Sequence, residues 1–286
     1  MDQSWTKLTD IVDKSVLQAI SNLNFANMTA VQAACIPHFI HNKDLAVEAI
    51  TGSGKTLAFV VPIMHILCRR ETALKKLEIG AIILTPTREL AFQINEVINH
   101  FIKFSPQFSS CLLIGGINPQ DDIDNFVANG GHIVIATPGR LEDLFQRKMA
   151  GFNLAASVKS LEVLILDEAD RLLDMGFEAS INAILSYLPK LRRTGLFSAT
   201  QTDEVAKLIR AGLRNPLQII VKEKTTKDGY NQKTPALLKN YYMFVEADEK
   251  MNQLVRFLKL HKKEKILVFF STCACGLFLF MSTTGL

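Results

Sequence analysis

Two short runs of the sequence combine residue types that could hold and cleave a nucleotide. Residues 49–56 read Ala-Ile-Thr-Gly-Ser-Gly-Lys-Thr and lie between an apolar run and a segment of helical periodicity. Glycines permit a tight turn whose backbone N–H groups face phosphate oxygens, and the amino terminus of the following helix adds a favourable dipole. Lys55 would reach the β- and γ-phosphates, and the Thr56 hydroxyl would bind Mg²⁺. The predicted nucleotide contacts of this loop are Thr51, Gly52, Ser53, Gly54, Lys55 and Thr56.

The second run is an apolar strand that ends in carboxylates. Val163–Leu166 is followed directly by Asp167 and Glu168. In open α/β sheets, ligands bind at the carboxyl ends of the strands. Asp167 would hold Mg²⁺ there together with Thr56, and Glu168 would orient or deprotonate an attacking water. An Asp-Glu pair alone is often a solvated turn or a helix cap, but beside a phosphate-binding loop it indicates hydrolysis, with Lys55, Asp167 and Glu168 as catalytic residues.

Alternating strands and helices must position these two runs. Short apolar stretches rich in Val, Ile and Leu recur along the chain, and segments with helical periodicity follow them. The predicted strands are Asp44–Glu48, Ala81–Thr85, Cys111–Ile114, His132–Ala136, Val163–Leu166, Gly195–Ser198 and Leu217–Val221. The predicted helices include one that ends near Leu23, one from Thr29 to Ile40, Lys55–Leu67, Thr87–Phe101, Gly139–Arg147 and Ala179–Tyr187. Strands without polar alternation are buried on both faces, which predicts an α/β domain with a mostly parallel sheet between helix layers.

Changes in composition suggest where this domain begins and ends. We expect an N-terminal extension over residues 1–42, the nucleotide-binding domain over residues 43–222, and a charged linker over residues 223–239. Residues 240–275 contain a predicted strand at Tyr241–Val245, a helix around Lys250–Leu260 and a strand at Ile266–Phe270. Three elements cannot close a second α/β core, so this second domain is predicted to be incomplete. A divergent apolar tail follows over residues 276–286.

Composition and charge exclude several classes of protein. The 286 residues are 48% hydrophobic, which argues against disorder, and the net charge of +4 gives only a mild preference for anionic partners. The five cysteines are scattered, which indicates a reduced, intracellular protein. The apolar stretch from Ile266 to Met281 is interrupted by polar residues and shorter than the roughly 20 residues that a membrane span needs. We therefore expect no membrane attachment.

The acidic run Asp167-Glu168-Ala169-Asp170 spells the motif for which DEAD-box ATP-dependent RNA helicases are named, and the chain resembles this family. Further motifs of the family occur in order. They are Ala49–Thr56 (motif I), Pro86–Leu90 (motif Ia), Gly115-Gly116, Thr137–Arg140 (motif Ib) and Ser198–Thr200 (motif III). The resemblance implies a RecA-like P-loop domain followed by an incomplete second RecA-like domain, with ATP and Mg²⁺ as cofactors and RNA as partner.

The resemblance also implies roles for individual residues. Phe25 and Gln32 match the motif that reads adenine, and Trp5 stands near the position of an isolated upstream aromatic; one amide can both donate to and accept from the base edge. The residues implied in gripping the RNA backbone are Pro86, Thr87, Arg88, Gly115, Gly116, Thr137, Pro138, Gly139 and Arg140. The residues implied in coupling hydrolysis to unwinding are Asp170, Ser198, Ala199 and Thr200.

The family pattern breaks near the end of the chain. Val268–Thr272 resembles motif IV, but the later motifs, which carry arginine fingers, do not follow. We therefore expect a C-terminally truncated, catalytically incomplete helicase. Two alternatives stay open: a non-catalytic fragment that binds ATP or RNA and competes with a longer form, and another P-loop ATPase that acts on DNA.

A resemblance to one subgroup of the family rests on the sequences of Asp167–Phe177 and Gly195–Thr202. These sequences are most similar to those of nucleolar helicases of large ribosomal subunit assembly. This implies remodelling of pre-rRNA in the nucleus and nucleolus, by a monomer that acts within pre-ribosomal particles.

Overall fold

Seven parallel strands form one sheet in the computed structural model, which describes residues 4–116, 118–147, 153–221 and 238–272. The strands are β1 (Leu45–Ala49), β2 (Ala81–Leu84), β3 (Ser110–Leu113), β4 (Ile133–Ala136), β5 (Val163–Leu166), β6 (Arg193–Ser198) and β7 (Leu217–Val221). Their order across the sheet is β3-β4-β2-β5-β6-β1-β7. Every pairing is parallel, so all strands present their carboxyl ends at one edge. The seven predicted strands are confirmed.

Helices cover both faces of this sheet. They are α1 (Lys14–Asn22), α2 (Ala30–Ile40), α3 (Lys55–Cys68), α4 (Arg88–Ile102), α5 (Pro119–Asn129), α6 (Pro138–Gln146), α7 (Leu154–Ser157), α8 (Ala169–Asp174), α9 (Glu178–Tyr187) and α10 (Asp203–Gly212). Each helix predicted for this part of the chain is present, while α5, α7, α8 and α10 were not predicted. Across the described segments, no helix combines the length and apolarity that a membrane crossing requires.

The core consists of one apolar cluster on each face of the sheet. In β5, Val163 and Ile165 belong to one cluster, while Leu164 and Leu166 belong to the other. Successive side chains of a strand point to opposite faces, so a strand buried on both faces needs apolar residues at every position. This explains why the uninterrupted apolar runs of the sequence became strands.

The N-terminal residues share the core of the sheet domain. Trp5, Leu8, Val12 and Val16 are buried in the same cluster as α3. The chain consists of two compact units, Met1–Lys233 and Thr234–Leu286, so residues 1–42 belong to the first unit. Most of the predicted linker, residues 223–239, and the predicted tail, residues 276–286, lie outside the described residues.

The second unit contains one described helix, α11 (Lys250–Leu260), as predicted. The predicted strands at Tyr241–Val245 and Ile266–Phe270 are wrong, because neither segment is a strand in the structure. Strands need hydrogen-bonded neighbours, and a pairing of only two strands is marginally stable in water. Accordingly, the side chains of Tyr241 and Phe244 are highly exposed. That this unit begins a second RecA-like domain stays a prediction.

Asp44, directly before β1, fixes the start of β6 and the loop that precedes β7, and its loss is expected to destabilise the domain. Its buried carboxylate accepts the Thr194 N–H at 2.9 Å and the Arg214 N–H at 2.7 Å. Asp44→Ala would leave these donors unpaired, so the free energy of unfolding should fall by about 2–4 kcal/mol. Asp44→Asn keeps one carbonyl acceptor and should lose less. Urea titrations would measure both values, and unchanged stability in Asp44→Ala would contradict this role.

Candidate nucleotide-binding site

The glycine-rich loop leaves β1 at Ala49 and enters α3 at Lys55. Gly52 and Gly54 have φ angles of 80° and 93°, a backbone region that other residues rarely adopt. Gly54 also lacks room for a side chain, since a Cβ atom there would lie 2.6 Å from Gln32 Nε2. Glycine is therefore required at residue 54 both for its conformation and for space.

Lys55 joins this loop to the acidic end of β5. Its side chain is buried; Nζ donates to the Ala49 carbonyl at 3.0 Å and lies 4.0 Å from Glu168 Oε1. Although β6 separates β1 from β5 in the sheet, the parallel arrangement brings both carboxyl ends to one edge. The two sequence runs predicted to share a nucleotide thus meet in space.

The acidic end of β5 is buried, and a negative charge on Asp167 is unfavourable there. Asp167 is 6% exposed, and its Oδ1 has no hydrogen-bond partner. Burial raises the pKa of Asp167 to about 7; the Lys55 ammonium opposes this shift, and the Glu168 and Asp170 carboxylates reinforce it. Glu168 has a φ angle of 52°, a left-handed conformation that is costly for a residue with a Cβ. Such strain is typical of functional sites.

Two unpartnered polar atoms show that this edge of the sheet fits a metal–triphosphate. Ser53 Oγ and Asp167 Oδ1 are both buried without a hydrogen-bond partner, whereas buried polar atoms nearly always have one. Mg²⁺ in nucleotide sites is usually bound by one or two protein oxygens together with phosphate oxygens. Thr56, the second residue of α3, carries a hydroxyl and directly follows Lys55 in the chain. The residues therefore suit MgATP.

Gln32 ties the amino end of α2 to the phosphate-binding loop. Its Oε1 accepts the Thr29 N–H at 2.9 Å, and its Nε2 donates to the Gly54 carbonyl at 3.1 Å. Thr29 Oγ1 in turn accepts the Gln32 N–H at 3.4 Å, which completes a capping box. Sequence reasoning assigned Gln32 to adenine but missed Thr29, although Thr followed by Gln three residues later is a recognised helix-start pattern.

The two aromatic residues predicted near adenine lie in different environments. Phe25 is 57% exposed, so a face of its ring is available for stacking. Trp5 is 9% exposed and packs in the core cluster. The placement of Trp5 differs from the predicted stacking role, because a ring enclosed by core side chains presents no face to a base. Phe25 is the better candidate.

The predicted coupling residues form one hydrogen-bond network. Asp170 Oδ2 accepts from the Thr200 N–H at 3.0 Å and from Thr200 Oγ1 at 2.9 Å. The Asp170 N–H donates to Ser198 Oγ at 3.3 Å, and that hydroxyl donates to the Thr200 carbonyl at 2.7 Å. With Ala199 between its partners, this network fastens the start of α8 to the end of β6. Their role in coupling stays a prediction.

Motif Ia and the paired glycines lie together. Thr87 caps α4, since its Oγ1 accepts the Leu90 N–H at 3.3 Å. The exposed Arg88 guanidinium lies over Gly115 and Gly116, and a Cβ atom on Gly116 would collide with it. Gly116 has a φ angle of 98°, so here too the backbone requires glycine. Pro86 precedes this cap at the end of β2, so these motifs form one surface.

Arg140 is placed differently from its predicted role. Its Nη1 donates to Asp122 Oδ2 at 2.8 Å, and both side chains are only 7% exposed. A buried guanidinium needs a counter-ion, and Asp122 on α5 supplies it, so a direct phosphate contact by Arg140 is not supported. Thr137, Pro138 and Gly139 lie at the start of α6, and a Cβ on Gly139 would meet no atom closer than 4.0 Å. The backbone at Gly139 is therefore accessible.

Comparison with known proteins agrees with this geometry. The family model described as DEAD/DEAH box helicase matches residues 29–208. The chain belongs to the DEAD/DEAH box helicase family. This confirms the resemblance seen in the motifs, and the seven-stranded sheet confirms the expected RecA-like fold class of that family.

Two curated relatives and one solved structure are similar to the chain. ATP-dependent RNA helicase DDX55 of Gallus gallus is 64% identical over 95% of this chain, and its Homo sapiens counterpart is 63% identical over 95%. These alignments span 46% and 45% of the two relatives, so the chain has about half their length. The crystal structure of a DEAD box protein from Methanococcus jannaschii is 30% identical, with a TM-score of 0.65 over 90% of this chain and 63% of that one.

Asp167→Asn is expected to stabilise the nucleotide-free chain. The folded carboxyl has a pKa of about 7 against an ordinary 3.8. As the pH rises between these values, the unfolded chain releases a proton that the folded chain keeps, so wild-type stability falls. The stability advantage of the variant should therefore widen over this window and then stay constant, which urea titrations at about pH 5 and about pH 8 would measure.

A matched control for this prediction is Asp174→Asn, which alters an exposed carboxylate at the end of α8. It should leave the stability unchanged at both pH values. An Asp167→Asn advantage that is equal at the two pH values would contradict the raised pKa.

Gly54→Ala is expected to weaken ATP binding far more than Gly52→Ala. Both positions have positive φ, but only a Cβ on Gly54 collides with Gln32, while nothing lies within 4 Å of one on Gly52. The difference in affinity should reach about tenfold or more, equivalent to 1.4 kcal/mol. Titration with a fluorescent ATP analogue would measure it, and equal losses would show that the Gln32 contact is irrelevant.

Proposed function

We propose that this chain forms the ATP-binding core of an ATP-dependent RNA helicase, with MgATP held between the loop at Lys55 and the end of β5. The supporting observation is the 4.0 Å approach of Lys55 Nζ to Glu168 Oε1. The partnerless Ser53 and Asp167 oxygens at the same edge suit this ligand.

Each of these side chains has a specific role in the proposed binding and hydrolysis of ATP. Lys55 would exchange its contact with the Ala49 carbonyl for phosphate oxygens, because a phosphate offers its ammonium a full counter-charge. Thr56 and Asp167 would hold Mg²⁺, which neutralises charge on the phosphates when bound. Glu168 would orient the attacking water or accept its proton. The strained backbone of Glu168 fixes this carboxylate beside Lys55.

Adenine recognition is proposed for Gln32 and Phe25. Gln32 keeps one amide hydrogen and one oxygen lone pair beyond its contacts with Gly54 and Thr29, and these can pair with the adenine edge. The exposed ring of Phe25 can stack on the base. Because Gln32 also bonds the Gly54 carbonyl, a bound base would influence the phosphate-binding loop directly, and ATP would be preferred to GTP.

RNA is proposed to bind through the surface formed by motif Ia, the paired glycines and the start of α6. Arg88 supplies an exposed guanidinium that lies over Gly116, and the open backbone at Gly139 permits close approach. Such contacts grip phosphate and sugar without reading base sequence. The Asp170, Ser198 and Thr200 network would link this binding to hydrolysis, since it joins the residues after Glu168 to β6.

We also propose a cellular process and a location for this chain. The similarity around Asp167–Phe177 supports pre-rRNA remodelling during large ribosomal subunit assembly, in the nucleus and nucleolus, by a monomer within pre-ribosomal particles. Two relatives carry the name ATP-dependent RNA helicase DDX55, which supports the activity but does not state this setting.

Two substitutions separate ATP binding from hydrolysis. Lys55→Ala should abolish ATP binding, because it removes the buried cation at the phosphates. Glu168→Gln should keep binding but lower any RNA-stimulated turnover by about 10²-fold or more, since it removes the general base. Fluorescent-nucleotide titration and phosphate release with and without RNA would measure both. Residual turnover in both variants would point to a contaminating ATPase.

The same assay decides between the proposal and its alternatives. Binding of ATP and RNA with negligible wild-type turnover would favour the binding fragment that competes with a longer form. Turnover comparable to that of a two-domain helicase would overturn the expectation of catalytic incompleteness. Stimulation by DNA but not by RNA would contradict the helicase assignment.

A further inference from the structure

A buried threonine, Thr85, directly follows β2 at the carboxyl edge of the sheet. Its N–H donates to the Ala136 carbonyl at 3.0 Å, and the residue is 0% exposed. The side-chain oxygen, Thr85 Oγ1, has no hydrogen-bond partner, whereas buried polar side-chain atoms nearly always have one. Thr85 therefore holds an unused hydroxyl at the edge where the nucleotide site lies.

The parallel register of the sheet places Thr85 opposite Asp167. Leu84 of β2 pairs with Leu166 of β5. The next pairing along is marked by the Asp167 N–H, which donates to the Leu84 carbonyl at 2.9 Å. Opposite residues of neighbouring strands lie about 5 Å apart and point to the same face of the sheet. The side chains of Thr85 and Asp167 are therefore neighbours.

Both side chains point to the face of the sheet that α3 covers. Ile83 and Ile165, two positions earlier in their strands, belong to the same apolar cluster as Phe59 of α3. Since successive side chains of a strand alternate between faces, Thr85 and Asp167 continue this row at the carboxyl edge. The row thus extends on the face of the helix that begins with the phosphate-binding lysine.

Asp167 offers a matching acceptor to the Thr85 hydroxyl. Its Oδ1 is buried without a hydrogen-bond partner. On its other side, Asp167 adjoins Phe197 of β6, one position beyond the pairing of Leu166 with Leu196, and a phenyl ring gives a carboxylate no conventional hydrogen bond. An ionised carboxylate only accepts hydrogen bonds, and a hydroxyl can donate one. The two unpartnered atoms are therefore complementary.

We propose that Thr85 is a positioning residue for the metal, whose hydroxyl donates to Asp167 Oδ1 and holds this carboxylate toward Mg²⁺. The inference rests on the proposed MgATP site. Rotation of Thr85 about its Cα–Cβ bond, among staggered positions, brings its hydroxyl to the carboxylate. A carboxylate oxygen has two lone pairs, so Oδ1 can accept this bond and still face the metal. Partners that orient a metal ligand typically contribute 10- to 100-fold to metal affinity.

The Mg²⁺ dependence of nucleotide binding by the full chain tests this role. Thr85→Val removes the hydroxyl at nearly constant volume, and Thr85→Ser keeps it. A fluorescent ATP analogue would be titrated once with Mg²⁺ and once with EDTA. We expect Thr85→Val to weaken binding with Mg²⁺ by about tenfold or more and to match the wild type in EDTA. Thr85→Ser should keep most of the affinity with Mg²⁺.

Two further measurements separate positioning from a merely structural role. Because the hydroxyl has no partner in the nucleotide-free chain, Thr85→Val should not lower the free energy of unfolding in urea. Added to Asp167→Ala, Thr85→Val should cause no further loss of affinity with Mg²⁺, because it acts through the carboxylate. Lowered stability with equal losses in Mg²⁺ and EDTA would overturn the proposal, and so would additive losses in the double variant.

Thr194→Val is the matched control. Thr194 is a buried threonine near the start of β6, at the amino-terminal edge of the sheet, so its variant should leave the Mg²⁺ dependence unchanged. Wild-type Mg²⁺ dependence in Thr85→Val would overturn the role of Thr85 alone. A wild-type chain whose nucleotide binding does not respond to Mg²⁺ would overturn the proposed MgATP site together with this inference.

Discussion

The approach of the Lys55 ammonium to the Glu168 carboxylate across the buried end of the sheet is the interaction on which the rest of the site depends. At 4.0 Å, and with the effective dielectric typical of proteins, such a pair attracts by about 4 kcal/mol. Burial raises the pKa of the neighbouring Asp167 to about 7, the Glu168 carboxylate adds to the rise, and the Lys55 ammonium only partly opposes it. A metal–triphosphate would supply positive charge to Asp167 and negative charge to Lys55 at the same time. This edge of the sheet therefore suits a ligand that carries both positive and negative charge.

Local strain is concentrated around this pair. Glu168 and Gly54 both have positive φ, and each begins a helix whose first residues face the site. The surrounding structure holds these conformations: Gln32 bonds the Gly54 carbonyl, and Asp170 is fixed by Ser198 and Thr200. The hydrogen bonds that fix the site thus come from α2 and β6, elements that carry neither of the two central motifs. Binding of the adenine base or of RNA would therefore affect the phosphate-binding loop through these hydrogen bonds.

Much of this architecture was predictable, because strands such as Val163–Leu166 are buried on both faces and carry no polar residue to obscure them. Helix α5 was missed because its apolar stripe is short, with Ile123, Phe126 and Val127 among polar residues, although Asn118 as cap and Pro119 at the first position are start signals. The environments of Trp5 and Arg140 were not predictable, since burial depends on neighbours distant in sequence. Motif spacing predicted that Lys55 and the acidic end of β5 would meet, because both adjoin the carboxyl ends of parallel strands. The hydrogen bond from Gln32 to the Gly54 carbonyl was not predictable, because the two residues are distant in sequence.

A shared site requires that one metal–nucleotide complex contact both the end of β1 and the end of β5. Titrating isotopically labelled chain with ATP and Mn²⁺, with Mg²⁺ as the diamagnetic reference, would report distance through broadening of backbone amide resonances. We expect the strongest broadening at residues 51–56 and at residues 166–170 together, and its loss from both segments in Lys55→Ala. Strong broadening of one segment while the other keeps its diamagnetic line width would contradict a shared site.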